Sequence, residues 1–213
     1  MTRDVRNARQ AILLCRIVRR EILNSSESFS SIVGFRVPLP VAHGLVGAGV
    51  VAALLPSAQP GRWKWLAFGA LLGVAPDFDY ALNWLRIGRG GWHHGFTHSI
   101  PFALVVGLVT IFVLRQWNVR SFLVISGAYV SHTLLDFMLT ESRGVALWWP
   151  FTNYRYKLRF PNPIDYTWSD DSLARAAMDL LKISLIELLI FAPILLAVIA
   201  LRRNLDRVRT TTR

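Results

Sequence analysis

Apolar residues gather into five runs along the chain, parted by short polar stretches: 41–56, 63–76, 98–117, 119–139 and 178–201. A helix that crosses a bilayer needs roughly 20 apolar residues, and the last three runs meet that length. The first two are shorter and rich in Gly and Ala, which suits close helix packing. They either span at a thin point or form a re-entrant pair. Trp63, Trp65, Trp117, Trp148 and Trp149 fall near run ends, as an interfacial aromatic belt would place them. The pattern predicts an all-α, polytopic helical membrane protein with four to five membrane segments.

Residues 1–36 have a different pattern. Arg3, Arg6, Arg9, Arg16, Arg19, Arg20 and Arg36 accompany an apolar stripe of Ile12, Leu13, Ile17, Val18, Ile22 and Leu23. That is the signature of a basic amphipathic helix lying on the membrane, followed by the polar linker NSSESFSS. No long apolar core precedes a small-residue cleavage site, so the extension does not read as a secretory signal. A translation start at Val37 is the other reading, and no function rests on these residues. The expected organisation is an extension at 1–36, a membrane-embedded domain at 37–201 and a basic tail at 202–213.

Composition agrees with the pattern. Apolar residues make up 53% and the mean hydropathy is +0.39, too high for an ordinary soluble domain. The 24 Lys and Arg outnumber 13 Asp and Glu, giving +11. On a soluble protein that excess would point to nucleic acid. Here the basic residues lie outside the apolar runs, so orientation and contact with anionic lipid heads account for them, and the expected partner is the bilayer. Cys15 is the only cysteine, which excludes a disulfide framework and a thiolate metal cluster. Nothing in the chain speaks to oligomeric state.

The polar residues on this apolar frame are few and grouped. Three of five histidines lie in HHGFTHS, residues 93–99. His43 stands at the start of the first run, and Asp77 and Asp79 follow the end of the second. His93, His94 and His98 lead into the third, and His132 and Asp136 lie near the end of the fourth. If four segments alternate in direction, a start, an end, a start and an end fall on one membrane face. His132 and Asp136, four apart, share one helix face about 6 Å apart along the axis. Asp77 and Asp79 lie past a helix C-terminus, where carboxylates are unfavourable unless a cation offsets the dipole. Imidazole and carboxylate without thiolate suit a divalent transition metal, Zn first, with Mn, Fe or Co as alternatives. The candidate ligands are His43, Asp77, Asp79, His93, His98, His132 and Asp136. Seven exceed the four of a closed tetrahedral site, which points to two ions or to an open catalytic site.

Other residues have plainer readings. Ser99 caps the third helix, with Pro101 in its first turn. His94 reads as exposed loop and is the weakest of the histidines. Glu187 reads as a polar contact between helices.

The blocks PLPVAHGLVG, LLGVAPDFDY, HHGFTHS and GAYVSHTLLDFMLTESRGVALWWPF, in this order over about residues 37–160, resemble the membrane-bound, metal-dependent hydrolase family. Its best-known bacterial members are inner-membrane proteins under control of the DNA-damage repressor. The resemblance implies metal-site roles for the same seven residues. His94 stands where the family usually has Arg, and Tyr80 where many members have His. A more distant likeness, to all-helical zinc phospholipases C, ranks phosphodiesters first among substrates.

The expected function is metal-assisted hydrolysis of a phosphodiester or lipid headgroup at the membrane surface, with one or two ions. Asp77 and Asp79 are the candidate catalytic carboxylates, Asp79 as base or bridge. Thr97 would orient a ligand. The loop 140–177, with Trp148, Trp149, Arg155, Lys157 and Arg159, is the expected lid over a headgroup. The rival is a non-catalytic metal-binding or metal-transporting membrane protein, which would place its ligands near the bilayer midplane. Fourteen Lys and Arg fall on the site side, or seven if translation starts at Val37, and four on the other, or nine if the fifth run spans. The balance predicts an inner-membrane protein with a cytoplasmic site.

Overall fold

Proline and small polar residues divide the chain into helices much as the apolar runs suggest. In the computed structural model, which describes residues 40–85, 93–139, 143–158 and 172–211, Pro40 opens helix α1 (Pro40–Leu54). Gly61, at φ 64°, precedes α2 (Arg62–Val74). Pro76 has no N–H to continue the helix ladder, and the chain tightens into a 3₁₀ turn (Ala75–Phe78) before the short α3 (Asp79–Trp84). A second 3₁₀ turn (Phe96–His98) leads into α4 (Ile100–Val113). Ser99 caps α4 as expected, its Oγ accepting from Phe102 N at 3.2 Å. Asn118 Oδ1 accepts from Ser121 N at the start of α5 (Val119–Leu139), and Ser172 Oγ from Arg175 N at the start of α6 (Leu173–Thr211).

Among the described residues the fold is all-helical, with one isolated bridge between Val145 and Tyr156. Four to five membrane segments were expected, and two helices are long and apolar enough: α5, with 21 residues, and α6, with 39. At 1.5 Å per residue α5 reaches about 32 Å, enough for a hydrocarbon core of about 30 Å. The 15 residues of α1 and 14 of α4 give only about 21–22 Å. Run 98–117 is shortened at both ends, because His98 sits in the preceding 3₁₀ turn and α4 closes at Leu114, before Arg115 at φ 53°. Residues 202–211, expected as a tail, continue α6. The 1–36 extension lies outside the described residues, as do Arg86, Arg89, Arg159 and Arg213.

Helix α1 is central and packs on α2, α5 and α6, while α4 packs on α5. Val51, Leu72, Ala103, Val124, Ile125 and Tyr129 form the apolar core. Leu104, Leu108 and Phe112 of α4, with Leu185, Leu189 and Leu196 of α6, face outward. Apolar side chains turned outward around a core of small residues are what a lipid surrounding selects.

Glycine lets α1 and α2 touch backbone to backbone. A Cβ on Gly47 would lie 2.3 Å from Gly69 O, and one on Gly73 would lie 2.3 Å from His43 O. Helix α6 runs parallel to α1. Glu187 Oε2 accepts from Ala42 N at 3.0 Å near one end, and Asp206 Oδ2 accepts from Ser57 N at 2.6 Å at the other. The expected helix-to-helix role of Glu187 matches this contact, and the basic end of α6 lies away from the histidines.

Candidate metal centre

The start of α1, the end of α2, the 3₁₀ turn before α4 and the end of α5 meet at one end of the bundle. His43, His132 and Asp136 come from α1 and α5, Asp77 from the turn after α2, Asp79 from the start of α3, and His93 and His98 from the 93–99 segment, with His94 beside them. The structure therefore brings together all seven candidate ligands.

Two of the imidazoles are held from behind. The His132 Nδ1–H donates to Gly73 O at 2.7 Å. His98 Nδ1 lies 2.9 Å from Thr97 Oγ1 and 3.3 Å from Asp79 Oδ2, and the Thr97 hydroxyl donates to the same carboxylate oxygen at 2.8 Å. An imidazole fixed at Nδ1 by a carbonyl or carboxylate offers Nε2 as a lone pair, the usual way a protein presents a metal ligand. Here the two Nε2 atoms face each other at 3.0 Å. Two lone pairs at that distance repel unless a proton or a cation lies between them.

Two carboxylate oxygens complete the set. Asp77 Oδ1 lies 3.6 Å from His98 Nε2 and 3.4 Å from His132 Nε2. Asp136 Oδ2 lies 3.4 Å and 3.2 Å from the same two atoms. With the nitrogen pair, these five separations average about 3.3 Å. Donors bonded at ~2.0 Å to one tetrahedral ion, the usual length for zinc to imidazole nitrogen or carboxylate oxygen, lie ~3.3 Å apart, and each oxygen with the nitrogen pair makes a triangle of that size. The donors fit a divalent transition metal in spacing as well as in kind. Both oxygens of Asp136 are enclosed, within 3.4 Å of ring nitrogens of His43, His94, His98 and His132, yet neither makes a hydrogen bond among the described residues. A buried carboxylate in that state is costly, and a cation on the shared side removes the cost.

The other candidates lie around this set. His43 Nε2 is 3.4 Å from Asp136 Oδ1, and its ring stacks on His132 at 3.8 Å. Asp79 sits behind the centre, with Oδ1 3.1 Å from His93 Nδ1 and Oδ2 directed at Thr97 and His98. Tyr80, at the position where the resembling family often has His, lays its ring against His93 at 4.0 Å. The enclosure has one open side. The side chains of Asp77 and His93 are 21% and 15% exposed, against 2% or less for Asp136, His98 and His132.

His94 departs from the expectation of an exposed loop. It is 3% exposed, and its Nε2 lies 3.4 Å from Asp136 Oδ2. Its backbone has φ 58°, a left-handed conformation that costs a non-glycine residue of order 1–3 kcal/mol. The loop 143–158 holds this turn: Ala146 N donates to His94 O, and Arg155 donates to His93 O and Gly144 O. The sequence signal for His94 was its place in the histidine cluster, which next-residue spacing alone could not turn inward. Trp148, Trp149, Phe151 and Tyr154 of the same loop are exposed.

Charge couples these groups. Burial would raise the carboxyls of Asp77 and Asp79, but the imidazoles of His132 and His98 beside the first, and of His93 and His98 beside the second, hold both well below the usual carboxylate range. Burial opposes the protonated form of His98, yet Asp136, Asp77 and Asp79 together lift it well above the ordinary histidine value. Burial pushes His94 down to about 4, with Asp136 pulling the other way. Burial also lowers the Arg155 guanidinium, as does neighbouring Arg143, while Asp79 favours its charge.

Comparison with known proteins places the chain among inner membrane proteins. The sequence model of the YdjM inner membrane protein family matches residues 39–205. Inner membrane protein YbcI of Escherichia coli (strain K12) is 32% identical over 130 residues, covering 56% of this chain and 72% of the relative. No solved structure matches significantly.

Proposed function

This chain belongs to the YdjM inner membrane protein family, and from that premise we propose that it is a membrane-bound, metal-dependent hydrolase acting at one face of the bilayer. The observation that carries the reading is the pair of facing Nε2 atoms of His98 and His132, each within 3.2–3.6 Å of a carboxylate oxygen of Asp77 and of Asp136, opening to solvent on the Asp77 side. A divalent ion held there would supply Lewis-acid polarisation and water activation near neutral pH. Gly73 O and Asp79 fix the two histidine rings in their ligating tautomer. His93, at the open side with Nδ1 on Asp79, is placed to meet a substrate. Asp77 is the catalytic carboxylate on that side, and Asp79 acts through the two histidines.

The substrate class follows from the rim. Arg143, Arg155 and Lys157 lie beside exposed Trp148, Trp149, Phe151 and Tyr154. Basic and aromatic side chains together suit an anionic headgroup at the lipid–water interface, so the substrate is a phosphodiester or a lipid headgroup. We place the site in the cytoplasm on the charge count of the sequence, fourteen basic residues assigned to its side against nine, a balance that depends on the seven Arg of residues 1–36.

The test is elemental analysis of detergent-purified protein prepared with metal present, followed by hydrolysis of phospholipids and phosphodiester analogues with and without chelator. Bound Zn, Mn, Fe or Co with chelator-sensitive hydrolysis is the expected outcome. Bound metal without hydrolysis would favour a metal-binding or transporting protein, and no bound metal would remove the reading altogether.

A further inference from the structure

We propose that His94 is a fifth metal-binding side chain, which closes the centre from the loop side and ties metal binding to the order of the loop 143–158. This inference rests on the metal reading above. Three features single out His94. Its Nε2 lies as far from Asp136 Oδ2, at 3.4 Å, as does Nε2 of His98. Three imidazoles, His94, His98 and His132, thus surround one carboxylate oxygen at 3.2–3.4 Å. The ring is enclosed, 3.9 Å from that of His93 and 5.1 Å from that of His98. The backbone is held left-handed at φ 58°, with Ala146 N on the His94 carbonyl and Arg155 on that of His93.

Strain of this kind persists where the surroundings over-determine it, and it clusters at ligand clamps. A histidine needed only to fill space would be met as well by a residue in ordinary backbone. Gly95, next in the chain, would carry a left-handed turn without steric cost. Placing the histidine itself at the strained position turns its ring to Asp136. The same turn hangs on the loop 143–158 through Ala146 and Arg155, so a ligand bond at His94 would fix the loop that carries the exposed aromatic rim.

Co²⁺ in detergent-purified, metal-stripped protein tests this, because its visible spectrum reports ligand number and its affinity is measured by competition with a chromophoric chelator. His94→Asn keeps a residue that tolerates the left-handed conformation but is too short to reach the ion. His94→Gly removes the backbone strain as well as the ring. Both variants are expected to bind at least tenfold more weakly than wild type with an altered visible spectrum, and to lose the Co²⁺-induced proteolytic protection of the loop. His98→Gln should bind no ion. Wild-type affinity and spectrum in either folded His94 variant would overturn the fifth ligand and leave the metal reading standing. If wild-type protein bound no Co²⁺, both would fall.

Discussion

Gly73 does two things at one position, and replacing it with alanine tests how the bundle and the site depend on each other. The added Cβ would lie 2.3 Å from His43 O, 3.1 Å from His43 C and 3.2 Å from Gly47 Cα, all of them backbone atoms. No side chain can rotate away, so α2 must move from α1. The Gly73 carbonyl that accepts from His132 Nδ1 at 2.7 Å moves with it. Overpacking costs about 1–3 kcal/mol and the weakened buried hydrogen bond about 1–3 kcal/mol, against a gain of about 1 kcal/mol from replacing a helical glycine. The net expectation is a loss of about 1–5 kcal/mol. With His132 no longer held in its tautomer, metal affinity should fall about 10–100-fold. Gly49→Ala is the internal control, because a Cβ there meets nothing within 4 Å, and it should be neutral or stabilising by up to about 1 kcal/mol. Thermal melts in one detergent and competition titrations with a chromophoric chelator measure both effects. If Gly73→Ala melts and binds metal like Gly49→Ala, the close approach of α1 and α2 does not build the site.

Three further outcomes are expected. Asp79→Asn should bind metal about 10–100-fold more weakly but keep the full stoichiometry, because Asp79 stands behind His98 and not beside the Nε2 atoms. Complete loss of the ion in that variant would make Asp79 a ligand. Metal-free protein should lose stability as pH rises from 6.5 through the raised value of His98, since a group whose pKa is raised on folding stabilises in its protonated form. Loading must release that proton, so apparent affinity should rise over the same range; a pH-independent affinity in competition titrations would contradict this. Single cysteines at Ala58 and Asn153, in a Cys15→Ser background, report orientation to an impermeant thiol reagent in intact cells. Labelling at 58 alone is expected for a cytoplasmic site, and labelling at 153 alone reverses it.

The parts of this architecture that were legible in the sequence are those written in residue type and run length. Run 119–139 is a helix over the same residues, because Asn118 caps its start and the apolar run sets its length. The gathering of His43, Asp77, His98, His132 and Asp136 followed from their places at alternate run ends, which needs no knowledge of packing. What stayed hidden depends on backbone shape. The length of α4 turns on a 3₁₀ turn at Phe96–His98 and a left-handed Arg115, and neither has a distinctive apolar pattern. His94 looked exposed because successive loop residues usually point apart; its inward course needs the strained φ and the grip of Ala146. Asp77 and Asp79 looked equivalent by composition. Only the path of the chain through Ala75–Phe78 puts one beside the Nε2 atoms and the other behind His98.

Charge balance then narrows what the centre can hold. Asp77, Asp79 and Asp136 bring three negative charges into a nearly closed volume at the end of a lipid-facing bundle, where each is costly unless offset. Arg155, lodged on the carbonyls of His93 and Gly144, is the cation whose charge Asp79 favours. Two remain, Asp77 and Asp136, and these are the carboxylates that share the Nε2 atoms of His98 and His132. A divalent ion there offsets these two carboxylates with the His98 and His132 rings uncharged, so both Nε2 lone pairs can ligate. A monovalent ion would leave one carboxylate uncompensated, and the site would have to keep a proton on a ring that the ion needs. The partial exposure of Asp77 fits the same scheme. It places the open side where the ion meets solvent, so an anionic substrate can approach the cation without crossing the enclosed Asp136.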